Sequence, residues 1–301
     1  MEEPSTFLAT QRYAVVTGAN RGIGFEICRQ LACKGVMVVL TARDEKKGTE
    51  AIEKLKGFGL SENVVFHKLD VGEPSSAYSL ADFIKSQFGK LDILVNNAAI
   101  TGVKMDSDAV RASASNGQIN WNEAVTQTYN LAEECLEINY YGVKRITEAL
   151  IPLLQLSDSV RFVNMSSSTG KLKFIPSEWA KEVFLDDERL TEERLDEVLN
   201  KFLKDFNEGD QESLEPKGWP SQFSAYTLSK AALNALTRIL AKRYPHFTVN
   251  SVCPGYVQTD MNCNTGILTA EEGAENAVRL ALLPEGAPSG LFFSQKEVSP
   301  L

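Results

Sequence analysis

Tyr13-Ala14-Val15-Val16-Thr17-Gly18-Ala19-Asn20-Arg21-Gly22-Ile23-Gly24 decides how this chain folds. The first four residues are an unbroken β-rich apolar run, as expected of a parallel strand covered on both faces. A glycine-rich turn follows at once, and residues 25–34 then carry helical periodicity. Strand, glycine turn and helix in that order predict a dinucleotide site. Gly18 permits the sharp turn, Gly22 lets backbone approach phosphates, and Gly24 lets helix and strand pack closely. Asn20, Arg21 and Ile23 sit among them, where the free N–H groups of a helix N-terminus would face a pyrophosphate. The spacing is G-x-x-x-G-x-G, not the commoner G-x-G-x-x-G.

Working outward, a second strand at 37–41 ends in Ala42-Arg43-Asp44. An NAD enzyme usually places a carboxylate here for the ribose hydroxyls, whereas a basic group accommodates the 2′-phosphate of NADP. Ala42 offers no carboxylate. Arg43 and Arg21 are placed to form a cationic clamp, and Asp44 reads as the N-cap of a helix over 45–56. A third strand at 64–68 ends near Asp70 and Val71, suited to an adenine edge. After an amphipathic helix at 77–88, a fourth strand at 93–95 runs into Asn96-Asn97-Ala98-Ala99. Further strands at 160–165, 248–253 and 291–293 bring the number to seven. The alternation with helices predicts an α/β fold, a doubly wound, mostly parallel Rossmann-type sheet.

Composition narrows the function classes. The 301 residues are 43% hydrophobic and 24% charged, with a net charge of −9, which disfavours nucleic-acid binding. No apolar run approaches a membrane span, no apolar leader opens the chain, and residues 1–10 read as a short polar tail. Five scattered cysteines suggest neither a disulfide framework nor a metal site, and read as small buried thiols. Only His67 and His246 are available to a Ser-His-Asp hydrolase, both in unpromising places. The expectation is one domain over 1–301 in a reduced, cytoplasmic, non-hydrolase enzyme.

The chemistry points to Ser224-Ala225-Tyr226-Thr227-Leu228-Ser229-Lys230, which opens a helix running to about Arg243. Four residues separate Tyr226 from Lys230, so both project from one helical face. A free tyrosine titrates near about 10, too high for easy proton exchange at neutral pH. A nearby ammonium is expected to lower that value, as an acid–base residue needs.

The glycine turn, N-N-A after the fourth strand, Asn139 on the following helix, serines after the fifth strand and Y-x-x-x-K together resemble the short-chain dehydrogenase/reductase family. The resemblance spans about residues 11–294. One departure is Ala99, where the family commonly has glycine, so an added methyl is expected to restrict the backbone there. The resemblance implies an NADP(H)-dependent reductase with Asn139, Ser167, Tyr226 and Lys230 as catalytic residues. Ser167 is chosen from Ser166-Ser167-Ser168 by counting back from Gly170, as the family motif does. Asn97 and Ala98 would lie against the cofactor. So would Pro254, Gly255, Val257 and Thr259, in the loop after the sixth strand. Asn139, on a helix expected over 131–154, would anchor a water linking Lys230 to solvent.

Two stretches exceed the family's usual length. Residues 101–128 are polar and long for a βα loop, either disordered or part of a substrate cover. From Ser167 to Tyr226 the chain carries an insert, about 171–222, with helical patterns at 177–184 and 190–206. Thr191 starts a plausible cap, and Leu195, Val198, Leu199, Phe202 and Phe206 share one face. The insert resembles that of the monomeric carbonyl reductases, and the chain as a whole resembles the plant menthone/neomenthol and salutaridine reductases. An apolar cyclic ketone and a monomer are implied, with the insert covering the helix pair through which family members dimerise. The alternative is that the insert folds as a lid over the cleft. A relative that reduces a C=C bond lacks tyrosine at the catalytic position, and Tyr226 therefore favours ketone reduction. An alcohol oxidation and a non-catalytic NADP(H)-binding regulator are the remaining readings.

Overall fold

A computed structural model describes residues 11–115, 120–209 and 213–301; the tail read at 1–10 lies outside the described residues. From the N-terminus run β1 (Tyr13–Val16), α1 (Gly22–Cys33), β2 (Met37–Ala42), α2 (Glu45–Gly57), β3 (Val64–Lys68), α3 (Pro74–Gln87) and β4 (Ile93–Asn96). After β4 come β5 (Lys104–Met105), α4 (Ser107–Ser115), α5 (Trp121–Ala124), β6 (Val125–Thr126), α6 (Tyr129–Leu136) and α7 (Gly142–Leu154). The second half holds β7 (Arg161–Met165), α8 (Glu178–Leu185), α9 (Glu192–Asn207), α10 (Ser224–Arg243), β8 (Thr248–Cys253), α11 (Ala270–Ala281), β9 (Phe292–Ser294) and β10 (Glu297–Val298).

The sheet order is β10-β9-β8-β7-β4-β1-β2-β3. The seven expected strands are all parallel, and the short antiparallel β10 adds an eighth at the edge. Alternate residues of each strand face opposite layers. Val15 packs with α3, α6, α7 and α10, whereas Ala14 and Val16 pack with α1, α2 and α11. The chain leaves β1 towards β2 on one side and returns through β4 on the other. The crevice at this reversal, above the strands' carboxyl ends, is where doubly wound sheets bind ligands.

The expected helix over 131–154 is not continuous. It begins at Tyr129 behind Thr128, whose Oγ1 accepts the Leu131 N–H at 3.4 Å. A π-helical turn at Glu137–Tyr141 then interrupts it, with Asn139 inside. Such turns recur at functional sites because they redirect one side chain without ending the helix. Segment 101–128 is built from the β5–β6 ribbon, α4 and α5, its residues 116–119 lying outside the described residues.

In the insert, Ser177 and Thr191 cap α8 and α9, accepting the N–H groups of Ala180 and Arg194. The stripe Leu195, Val198, Leu199, Phe202 and Phe206 is buried against the α6 and α10 side of the molecule. Phe202 meets Phe206 and Trp219 edge-on, and the Trp219 indole N–H donates to the Asp205 carboxylate at 2.8 Å. Burying five such side chains is worth several kcal/mol at about 25 cal/mol per Å².

All five cysteines are free thiols. Cys28, Cys135 and Cys253 are buried as expected, but Cys33 is exposed at the end of α1 and Cys263 is half-buried, so the buried-thiol reading holds for three of them. No helix among the described residues is long and apolar enough to cross a membrane, and these residues hold no cluster suited to a metal.

Candidate active site

The glycine turn is held by strand β4. Gly18 and Gly22 adopt φ of +62° and +56°, in the region that favours glycine. A Cβ on Gly18 would meet the Ala98 Cα at 2.8 Å, and one on Gly24 would meet the Asn97 amide nitrogen at 2.5 Å. The turn thus leaves room only for a backbone without side chains, the cradle a dinucleotide needs. Asn97 donates from its carboxamide to the Thr17 and Gly18 carbonyls at 2.9 and 3.0 Å. Thr17 Oγ1 in turn accepts the N–H groups of Asn97 and Ala98. The Asn97 side chain therefore braces the turn. Thr17 does the same work from β1's end, and sequence reasoning passed over it.

The two arginines differ. Arg43, directly after β2, is exposed and makes no ion pair among the described residues. Arg21, at the N-cap of α1, instead pairs with the Asp260 carboxylate. That ion pair is solvent-exposed at both ends and so worth at most about 1 kcal/mol. Asp44 is the N-cap of α2, accepting the Lys47 N–H at 3.0 Å. Past β3, the Asp70 carboxylate accepts the Gly72 N–H at 3.0 Å, and Val71 is buried beneath it. Ala99 keeps out of the left-handed region, so its methyl costs the N-N-A-A loop nothing.

Around the opening turns of α10 the serines separate. Ser166 Oγ turns to the Lys230 carbonyl and Ser168 Oγ to Cys253 Sγ. Ser167 alone of the three has a side chain that acts on the Tyr226 phenol, and its Oγ accepts the Thr169 N–H and hydroxyl at 3.2 and 3.0 Å. Lys230 is buried, with Nζ donating to the Met165 carbonyl at 2.8 Å and lying 5.5 Å from the Tyr226 ring centroid. Burial lowers its pKa from 10.5 to about 8. Burial likewise raises the Tyr226 phenol well above its ordinary 10, against the downward pull of the Ser167 side chain. The expected lowering of the tyrosine is thereby overturned. Four-residue spacing says nothing of desolvation, which here outweighs any help from an ammonium itself pushed towards neutrality.

Asn139 is buried and serves the opposite wall. Its Nδ2 donates to the Ile100 carbonyl at 2.9 Å and Ser229 Oγ at 3.1 Å, and Oδ1 accepts the Ile100 N–H at 2.9 Å. It joins the β4 loop to α10, with no bond to Lys230 itself.

These groups open onto a cleft of ≈ 710 Å³. Ser167 and Tyr226 lie on its wall with Pro254, Gly255, Val257 and Thr259. Thr259 starts a short 3₁₀ turn closed by Asn262, whose amide also donates to the Val257 carbonyl. The outer walls are mostly apolar: Met105 and Trp121 from segment 101–128, and Phe174, Trp219 and Phe223 from either end of the insert. The helices of the insert pack on α6 and α10, the arrangement expected first, while residues at its ends border the cleft. Neither histidine lines it. These aromatic walls were missed by sequence reasoning, although aromatic residues standing in polar loops were a usable signal.

Comparison with known proteins gives the same picture. The family model described as short chain dehydrogenase matches residues 12–177, and one described as Enoyl-(Acyl carrier protein) reductase matches 213–288. The gap between them holds α8 and α9. A (+)-neomenthol dehydrogenase of Arabidopsis thaliana is 59% identical over 96% of this chain and 98% of its own. The solved salutaridine reductase of Papaver somniferum superposes with a TM-score of 0.88 at 56% identity, covering 94% of this chain and 99% of that one. For the menthone neomenthol reductase of Mentha piperita the values are 0.85 and 51%, over 96% and 100%. Matched by the short chain dehydrogenase model over residues 12–177 and by such relatives over nearly its whole length, the chain belongs to the short-chain dehydrogenase/reductase family.

Proposed function

We propose that the protein is an NADPH-dependent carbonyl reductase that converts an apolar cyclic ketone, terpenoid- or alkaloid-like, to a secondary alcohol. The observation that carries this reading is Tyr226 beside the Ser167 hydroxyl on the wall of a largely apolar cleft, with the buried Lys230 Nζ 5.5 Å from the Tyr226 ring centroid. A neutral phenol is the form that donates a proton to a forming alkoxide. The relatives' names, a neomenthol dehydrogenase and a salutaridine reductase, support the same substrate class.

The residues divide the work. The cradle of Gly18, Gly22 and Gly24 would receive the pyrophosphate at the N-terminus of α1, with Asn20 and Ile23 alongside. Asp70 and Val71 would meet the adenine, and Val257 and Thr259 the carboxamide end. When bound, the nicotinamide supplies the hydride. Ser167 would hold the carbonyl oxygen, Tyr226 would protonate the oxygen as charge develops, and Lys230 would keep a positive charge behind it. Asn139 would act by fixing the Ile100 wall against α10, with a water relay to Lys230 as its further role. A panel of cyclic ketones, scored by NADPH consumption, tests the reading; a wild-type enzyme that binds NADPH and reduces none of them would end it.

Cofactor choice is read from Arg43, with Arg21 beside the site in a solvent-exposed pair with Asp260. Arg43→Ala is expected to weaken NADPH by roughly ten- to hundred-fold, the worth of about 1.5–3 kcal/mol for a charge-assisted bond, and to leave NADH almost unchanged. Titrating both cofactors by fluorescence checks this, and equal losses would remove the phosphate contact.

We also propose one domain that stays monomeric in a reducing, cytoplasmic setting, where five free thiols are at home. The support is α9, whose apolar stripe already covers the α6 and α10 side from within the chain. An internal cover avoids the translational entropy cost of association. Light scattering is expected to give a mass near 33.2 kDa, and twice that would refute the monomer.

A further inference from the structure

Helix α10 carries Tyr226 in its first turn, yet its N-cap residue is Phe223, which has no polar side chain to cap with. Phe223 also adopts φ of +47°, a strained conformation for a bulky residue. The missing cap comes from 97 residues away. The Oε1 of Gln127 accepts the Ser224 N–H at 2.7 Å, and it lies 2.9 Å from the Ser224 hydroxyl, whose one proton it shares with the Pro220 carbonyl at 2.7 Å. Its Nε2 donates to the Ser221 carbonyl at 2.9 Å. Gln127 is 6% exposed and Ser224 fully buried, so these bonds are made away from water. One carboxamide thus grips the chain on both sides of Phe223. Six residues before Gln127, the Trp121 ring meets the Phe223 ring edge-on at 5.3 Å, and both rings line the cleft.

We propose that Gln127 is a positioning residue that docks segment 101–128 onto the start of α10, fixing the Tyr226 hydroxyl and the Trp121–Phe223 wall together. The cap supplies an acceptor that Phe223 cannot, satisfying otherwise orphaned donors of the first turn. It also holds Phe223 in the left-handed conformation that turns its ring towards Trp121. The cleft's width and the proton donor's place are then set by one contact between two distant segments. This inference rests on the reading of Tyr226 as the proton donor, and its test separates the two.

Gln127→Ala is compared with Gln127→Glu, which keeps the acceptor for Ser224 but turns a second carboxylate oxygen, in place of the donor, towards the Ser221 carbonyl. Hydrogen exchange in the peptide covering 221–230 is expected to rise clearly in Gln127→Ala and to return part of the way in Gln127→Glu. In parallel, kcat for a reduced ketone is expected to fall by about ten- to hundred-fold in Gln127→Ala, as for a displaced catalytic group, with KM for NADPH unchanged. Phe223→Gly, which suits the local backbone, should preserve folding, keep exchange near wild type and raise KM for bulky ketones more than it lowers kcat. Exchange in Gln127→Ala equal to wild type would overturn the inference whatever the ketone rates. So would a slowed Gln127→Ala whose kcat is not recovered at all by Gln127→Glu. Turnover that survives Tyr226→Phe would end the proton-donor reading instead, and the exchange comparison would still decide Gln127.

Discussion

Tyr226→Phe lowers ketone turnover by about two to four orders of magnitude, the usual worth of a positioned acid, and leaves NADPH affinity nearly intact. The ring is retained, so the packing of α10's first turns is expected to survive. Only the hydroxyl and its electrostatic contact with the Ser167 side chain are lost. Ser167, whose Oγ accepts twice from Thr169, keeps its own O–H to hydrogen-bond the carbonyl oxygen, and an aliphatic hydroxyl is a much weaker acid than the phenol it would replace. The forming alkoxide would then depend on water entering a cleft walled by Trp121, Trp219 and Phe223. Saturating-NADPH turnover and NADPH binding by fluorescence separate the chemical loss from a binding loss. Wild-type turnover in the variant would show that Tyr226 is not the acid.

How much of this was legible in the residues depends on how far apart the interacting groups lie. The glycine turn, the parallel strands and the Tyr226–Lys230 face follow from spacings of two to four residues, where local geometry decides. The α9 stripe was legible for the same reason, since Leu195, Val198, Leu199, Phe202 and Phe206 repeat at helical steps. Contacts across the sheet were not. Nothing near Asn139 predicts a π-helical turn, because the partner that holds it, Ile100, is 39 residues away. Asp260 lies 239 residues from Arg21, so their ion pair could not be read from local spacing. The left-handed Phe223 is equally invisible, being held by Gln127 rather than by its neighbours. The direction of the Tyr226 shift failed for a related reason. Spacing brought a cation near the phenol, but burial is a property of the whole fold and it dominates.

That same burial makes Lys230→Met a variant that folds better and works worse. Lys230 is 3% exposed, and its pKa falls from 10.5 to about 8. Between those values the unfolded chain binds more protons at this position than the folded one, so stability rises with pH across the window. The cost of burying the charge is therefore fully present below pH 8, at about 3 kcal/mol. Methionine fills similar space without the charge. It leaves the Met165 carbonyl without its 2.8 Å donor, which offsets about 1–3 kcal/mol of the gain. Urea unfolding at pH 7 is expected to find Lys230→Met the more stable protein by up to about 2 kcal/mol. At pH 9.5 the margin should shrink, because the wild-type lysine has by then shed its proton in the folded state. Turnover moves the other way, falling by about two to three orders of magnitude once the positive charge behind Tyr226 is gone. Wild-type turnover should itself decline as pH rises through about 8, where Lys230 loses its proton. A stability difference of the same size at both pH values would rule out the buried charge as its source, and an unchanged turnover would rule out Lys230 as a partner of the proton donor.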